Sequence, residues 1–76
     1  MTLNDIKPGE KAVICSIDSE EDIKRRFQDM GIIENTIIEC VGKSPAGDPK
    51  AYLIRGAVIA IRSEDSEKIS VIKKGH

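Results

Sequence analysis

The amino-acid sequence predicts one small domain that is mainly β, with about five short strands and one short helix arranged as a small barrel. Its 76 residues suffice for a single domain that buries about 60% of its unfolded surface. Thirteen isoleucines and four valines accompany only two leucines and no tryptophan. Such β-branched side chains favour strands over helices. Turn residues separate the short aliphatic runs, which is typical of a barrel.

The first strand is predicted at residues 11–17, directly after a Pro8-Gly9 turn. Strand alternation assigns its side chains to two faces: Val13, Cys15 and Ile17 on one, and Ala12, Ile14 and Ser16 on the other. Neither face is strongly polar, so we expect this strand to be covered on both sides.

One amphipathic helix follows, and it is predicted to end at Gly31, a residue that readily adopts the left-handed conformation. Ser19 with Asp22 three residues later resembles a capping box, with Asp in place of Glu or Gln. The helix carries one apolar stripe at positions i, i+4 and i+7, formed by Ile23, Phe27 and Met30.

The later elements are delimited by turn residues. A rigid turn is expected at residues 44–49, and a tight hairpin turn at Arg55-Gly56. Asn35 tolerates a positive φ and introduces the second strand. The predicted strands span residues 36–43, 50–54, 57–62 and 69–73, with a short helical turn within 63–68.

The charge pattern disfavours nucleic acid and membranes as partners. The net charge is −1, and residues 1–38 (−3) differ little from residues 39–76 (+2). Barrels that bind nucleic acid use a basic groove with aromatic platforms, whereas Tyr52 is the only aromatic side chain expected to be exposed. No run reaches the roughly 18 apolar residues of a membrane span, and no signal peptide opens the chain. We therefore expect a cytosolic protein without membrane insertion.

The residue inventory does not predict an enzyme. Acyl transfer needs a positioned base, and the only histidine is the terminal His76. The glycines do not form a phosphate-binding loop. We expect neither catalytic activity nor a cofactor.

A structural metal site is also not predicted, whereas weak binding of a transition metal ion stays open. A structural zinc site needs four Cys or His ligands, whereas Cys15 and Cys40 are the only cysteines. Both are expected to be free, buried thiols, and a disulfide stays open if their strands pair. The carboxylates of Asp18, Glu21 and Asp22 offer oxygen ligands, but acidic residues are ordinary at a helix N-terminus.

The sequence resembles the FeoA family over nearly its whole length. The similar motifs are Leu3–Glu10 with Ala12–Ile14, Arg25–Ile32, Ser44–Pro49, Arg55–Arg62 and Glu67–Val71. The resemblance implies an SH3-like barrel that acts as a non-enzymatic cytosolic partner of FeoB, the membrane GTPase-transporter of bacterial ferrous iron uptake. Two positions depart from the family pattern, Glu34-Asn35 where Pro-Gly is frequent and Ser66 where a small apolar residue is common.

The same small barrel occurs as the C-terminal domain of iron- and manganese-dependent repressors of the diphtheria-toxin-repressor type. This resemblance implies an alternative, a regulatory domain whose partner is another protein segment. The chain shows its own start and no DNA-binding helices, so we expect a free-standing role.

We expect the partner to bind where large or charged side chains lie beside rigid turns, because ordering them there costs little entropy. The predicted partner-binding residues are Arg25, Arg26, Met30, Tyr52 and Arg55. An alternative places Met30 in the core. In that alternative Arg26 pairs with Asp29 or Glu34. An exposed edge strand would also allow weak self-association.

Overall fold

The computed structural model describes residues 1–74, so His76 lies outside the described residues. Five antiparallel strands form one sheet in the order β4-β3-β2-β1-β5. The elements are β1 (Lys11–Ile17), α1 (Glu21–Asp29), β2 (Ile37–Lys43), β3 (Lys50–Ile54), β4 (Ala57–Ile61), α2 (Ser63–Ser66) and β5 (Ile69–Lys73). The predicted mainly β architecture is confirmed, and every predicted strand agrees to within one residue.

Two β-bulges change which side chains face the core. The register of β1 against β5 shifts between Ile14 and Ser16, so Ile17 joins Ala12 and Ile14 in the core. The predicted assignment of Ile17 to the opposite face is therefore wrong, because a bulge reverses the alternation beyond it. A second bulge in β2 lies between Cys40 and Gly42.

The core is built mainly from aliphatic side chains of the sheet, and α1 contributes Phe27 to it. A 3₁₀ turn at Leu3–Asp5, which the sequence analysis did not predict, adds the fully buried Leu3 and Ile6. Lys50 holds this segment by donating from Nζ to the carbonyl oxygens of Asn4 (2.8 Å) and Ile6 (3.2 Å). The N-terminal segment is thereby attached to β3.

Helix α1 does not begin as predicted. Its N-cap residue is Glu20, and no side chain caps the first turn. Ser19 lies one residue before the N-cap, and its hydroxyl oxygen is buried without a hydrogen-bond partner among residues 1–74. The predicted capping box of Ser19 and Asp22 is therefore wrong.

Residues with positive φ form the two predicted turns at Asn35 and at Arg55-Gly56. Asn35 has φ of 68°, and its N–H donates to the carbonyl of Ile14 at 2.8 Å. Arg55 and Gly56 have φ of 51° and 84°, the pattern of a type I′ hairpin turn. Both turns are confirmed at the predicted positions, and Asn35 replaces the glycine that is frequent in the resembling family.

The loop between β2 and β3 is fastened to α2 by one carboxylate. Within the loop, the hydroxyl of Ser44 donates to the carbonyl of Asp48 at 2.8 Å. The carboxylate of Asp48 then accepts the N–H (2.9 Å) and the hydroxyl (3.3 Å) of Ser63. Ser66 is fully buried, and its hydroxyl lies 3.3 Å from both Asn4 Oδ1 and the Ser63 carbonyl. The serine that departs from the family pattern is thus placed beside polar atoms.

The two edges of the sheet differ. Beside β5, Thr2 forms an isolated bridge with Ser70, and the N–H of Val71 donates to the carbonyl of Met1 at 2.9 Å. Strand β4 pairs only with β3 among the described residues. The sheet therefore has one edge covered by the N-terminal residues and one edge that is open.

Candidate partner-binding surface

The C-terminal end of α1 and the hairpin turn between β3 and β4 meet at Gly31. The N–H of Gly31, which has φ of 95°, donates to the carbonyl of Gln28 at 3.0 Å. The N–H of Ile32 donates to the carbonyl of Phe27 at 2.9 Å, which completes a Schellman motif. A methyl group on Gly31 would lie 3.1 Å from Cδ of Arg55. Arg55 therefore lies directly over the bare backbone that ends the helix.

This contact places Arg55 beside the end of α1, the element that carries the predicted partner-binding residues Arg25 and Arg26 and is followed by Met30. Arg25, Arg26 and Arg55 are exposed, and 41% of Met30 is accessible to solvent. Arg26 and Met30 are four residues apart and so share one side of α1. We call the set Arg25, Arg26, Met30 and Arg55 the helix-end surface.

Tyr52 does not belong to this surface. The prediction that it is exposed is wrong, because its side chain is fully buried. Both faces of β3 carry apolar residues, and the face that includes Tyr52 and Ile54 is the one that packs inward. The Tyr52 hydroxyl donates to the carbonyl of Leu3 at 3.4 Å.

The arginines of the helix-end surface have no ion-pair partners within residues 1–74. The salt bridge of the described chain joins Lys73 Nζ to Glu10 Oε2 at 2.6 Å, far along the sequence from these arginines. One interpretation of the sequence expected Arg26 to pair with Asp29 or Glu34. The structure shows neither pair. These guanidinium groups could therefore pair with acidic side chains of another protein.

Sequence reasoning missed two exposed apolar side chains beside this surface. Ile33 follows the helix end, and Ile37 begins β2. Ile38 pairs with Ile54, so Ile37 lies at the level of Arg55, the next residue of the hairpin. A signal was present, because Ile37 and Ile38 are adjacent in one strand and only one of them can face the core.

Two pKa shifts are found away from the helix-end surface. Burial raises the pKa of Tyr52 to about 12, and the nearby Cys40 thiol contributes in the same direction. The hydrogen bond from Lys73 lowers the pKa of Glu10, and the N–H of Lys7 adds to the effect. Both groups tie strands or turns together, so these shifts indicate structural roles.

The described residues do not contain a cluster typical of a metal site. Within residues 1–74, no three His, Cys, Asp or Glu side chains lie close enough to hold an ion together. Cys15 is half-buried and Cys40 is buried, and both thiols are free.

Comparison with known proteins identifies the family. The model of the FeoA domain matches residues 1–73. The chain belongs to the FeoA family. This membership confirms the resemblance predicted from the sequence motifs, and it places the chain in a family of ferrous iron transport.

Two curated relatives connect the family to iron transport. The chain is 31% identical over 71 residues to a fusion of Fe(2+) transport protein A with the Fe(2+) transporter FeoB from Porphyromonas gingivalis. It is 27% identical over 71 residues to a putative Fe(2+) transport protein A from Campylobacter jejuni. The matches cover 93% of this chain in both cases, but 8% of the fusion protein and 96% of the Campylobacter protein.

Solved structures share the fold. The solution structure of FeoA from Chlorobium tepidum has a TM-score of 0.93 and 27% identity, with 99% of this chain and 71% of that chain covered. FeoA from Stenotrophomonas maltophilia, solved with zinc and described as a prokaryotic SH3 domain protein, has a TM-score of 0.82 and 24% identity (93% and 88% covered). The FeoA domain described here therefore has the predicted SH3-like fold.

The fold also occurs in a regulator. A manganese-dependent transcriptional repressor matches with a TM-score of 0.82 and 17% identity, over 97% of this chain and 41% of that chain. At this identity the likeness concerns the fold alone.

Among residues 1–74 of the FeoA domain, none of the helices is long and apolar enough to span a bilayer.

Proposed function

We propose that this FeoA domain is a non-enzymatic accessory protein of bacterial ferrous iron uptake that binds the FeoB transporter on its cytosolic side. The observation that carries the proposal is the Porphyromonas fusion protein, in which a relative of this chain is joined to FeoB. Two modules fused in one polypeptide are held at high effective concentration, which favours contact between them.

The helix-end surface is the proposed contact. Its three arginines lack partners within the described chain, so binding an acidic surface would not first require breaking an internal ion pair. Met30 and the neighbouring Ile33 supply exposed apolar area next to these charges. A small apolar centre with a charged rim is the usual composition of a protein interface.

An amide-resolved NMR titration with the soluble GTPase domain of the cognate FeoB, in the presence of guanine nucleotide, tests this proposal. We expect localised, saturable shifts at the end of α1 and at the hairpin turn. Replacing Arg25, Arg26 and Arg55 together with alanine should weaken binding about tenfold, since each exposed charge contributes roughly 0.2–1 kcal/mol.

Lys43→Ala is the matched control, because it removes an exposed positive charge at the opposite end of β2 from Ile37. We expect this variant to bind like the wild type. If the triple alanine variant also binds like the wild type, the helix-end surface is not the contact. If no chemical shift changes, the same titration is repeated with full-length FeoB in nanodiscs. Absence of shift changes there as well overturns FeoB as the partner.

The second candidate is a regulatory domain that binds another protein segment. It is favoured by the likeness of the fold to the manganese-dependent repressor. Failure of every FeoB titration, together with recovery of a helix-turn-helix protein that binds the purified chain, would support it.

A further inference from the structure

We propose that the open edge of β4 accepts an extended segment of the protein partner as a sixth, antiparallel strand. The segment is apolar along its centre and carries acidic side chains at both ends. This inference rests on the proposed function and specifies how the partner, FeoB, is bound. It extends the contact from the helix-end surface along the edge that begins at the hairpin turn.

The register of the hairpin determines which backbone groups of β4 are free. Ile54 pairs with Ala57 across the two-residue turn, so this pair exchanges both of its hydrogen bonds. Hydrogen-bonded pairs then recur at alternate positions, at Ile59 and at Ile61. The N–H and C=O groups of Val58 and Ala60 therefore point away from β3. Among residues 1–74, no segment outside the hairpin hydrogen-bonds to them.

The side chains of β4 leave this edge accessible. The strand contains no charged residue and no proline, which are the groups that commonly block edge pairing. Val58 is 64% exposed, and Ala57 and Ala60 are exposed as well. The other edge of the sheet is different, because Met1 and Thr2 hydrogen-bond or bridge to β5.

Charge specifies the chemistry of the segment. Arg55 precedes β4 and Arg62 follows it, so an arginine stands at each end of an uncharged strand. Both are exposed, and neither forms a salt bridge within the described chain. Aspartate or glutamate at the ends of an added strand would pair with them, whereas a basic segment would be repelled.

A second copy of this chain fits the edge less well. Two β4 strands paired about Ile59 would place Arg62 opposite Gly56 of the other copy, next to that copy's Arg55. Like charges would then meet at both ends of the pair. A pair of five-residue strands also buries far less than the roughly 800 Å² per partner of a stable interface. A partner that also contacts the helix-end surface supplies the missing area.

Hydrogen exchange of the isotopically labelled chain, alone and bound to cognate FeoB in nanodiscs, tests the proposal. Samples are quenched after exchange, and the remaining amide protons are read by NMR in an aprotic solvent. We expect the amides of Val58 and Ala60 to exchange at least about tenfold more slowly in the complex. The amides of Ile59 and Ile61 serve as internal controls, because they are already bonded to β3.

A backbone variant provides an independent test. Ala60→Pro removes an outward N–H, and proline is tolerated on an edge strand in that position. We expect it to weaken binding about fivefold to tenfold, the value of one net hydrogen bond. Ala60→Thr keeps the donor and should bind within about twofold of the wild type.

The outcomes separate the two proposals. Binding with unchanged exchange at Val58 and Ala60 overturns the added strand and leaves the proposed function standing. Absence of binding by the wild type overturns both. Slower exchange at these two amides in the concentrated chain alone would identify a second copy as the occupant and overturn the partner segment.

Discussion

Tyr52 places a phenol hydroxyl inside the core, at hydrogen-bonding distance from the carbonyl of Leu3. The hydroxyl thereby connects β3 to the N-terminal 3₁₀ turn, which Lys50 also holds. A buried phenol is stable only while it is neutral, because ionisation would leave a charge without water around it. The attachment of the N-terminal segment therefore depends on the protonation state of this residue.

We expect Tyr52→Phe to change the alkaline stability of the domain. Burial raises the pKa of Tyr52 from 10.0 to about 12. The contribution of the neutral Tyr52 side chain to the free energy of unfolding is fully present below pH 10. It is lost as the pH rises through about 12. Urea unfolding measured across this range should show a smaller loss for the phenylalanine variant than for the wild type. Parallel losses in the two proteins would show that Tyr52 ionises without unfolding the chain.

The contact between α1 and the β3–β4 hairpin depends on the absence of a side chain at Gly31. Its φ of 95° disfavours any other residue, and a Cβ would approach Arg55 Cδ to 3.1 Å. We expect Gly31→Ala to lower the free energy of unfolding by about 1–2 kcal/mol through the backbone effect alone. It should also displace Arg55, which amide and guanidinium shifts would report.

Gly9→Ala is the matched control for this prediction. Gly9 has nearly the same φ, 93°, but a Cβ there meets no atom within 4 Å. We expect a similar loss of stability without any change at Arg55. If both variants leave the resonances of Arg55 unchanged, the methylene groups of Arg55 do not pack against the helix end.

Sequence patterns were sufficient for the strands and insufficient for their faces. Turn residues such as Asn35 and Gly56 delimit the strands locally, so their bounds are legible in the sequence. The bulge near Cys15 depends on the partner strand, and no local pattern marks it. In β3, Tyr52 and Leu53 are both apolar, so alternation alone cannot tell which faces inward. Of the five predicted partner-binding residues, Tyr52 is buried because of this ambiguity, and the other four are exposed and remain a prediction.

At the scale of the whole molecule, Phe27 is the buried side chain that α1 contributes to the core. Phe27 is 4% exposed and is the only phenylalanine of the chain. We expect Phe27→Ala to lower the free energy of unfolding by about 3–5 kcal/mol. Stability in small domains is about 0.05–0.15 kcal/mol per residue, so this change should remove a large part of the free energy of unfolding.

Met30→Ala is the comparison, since Met30 directly follows α1, about one turn after Phe27, and is 41% exposed. We expect it to cost less than about 1 kcal/mol. Chemical denaturation followed by far-ultraviolet circular dichroism measures both variants. A cost under about 1 kcal/mol for Phe27→Ala would contradict its place in the core.

The unequal edges of the sheet also limit how large an assembly this fold can build. A fibril grows continuously by strand addition only if every subunit has two receptive ends, meaning two free sheet edges. One edge pairs with the preceding subunit and the other with the next. Here Met1 and Thr2 occupy one of those ends. A molecule with a single receptive end can cap another sheet but cannot propagate it, so an isoleucine-rich domain of this kind is protected against open-ended polymerisation.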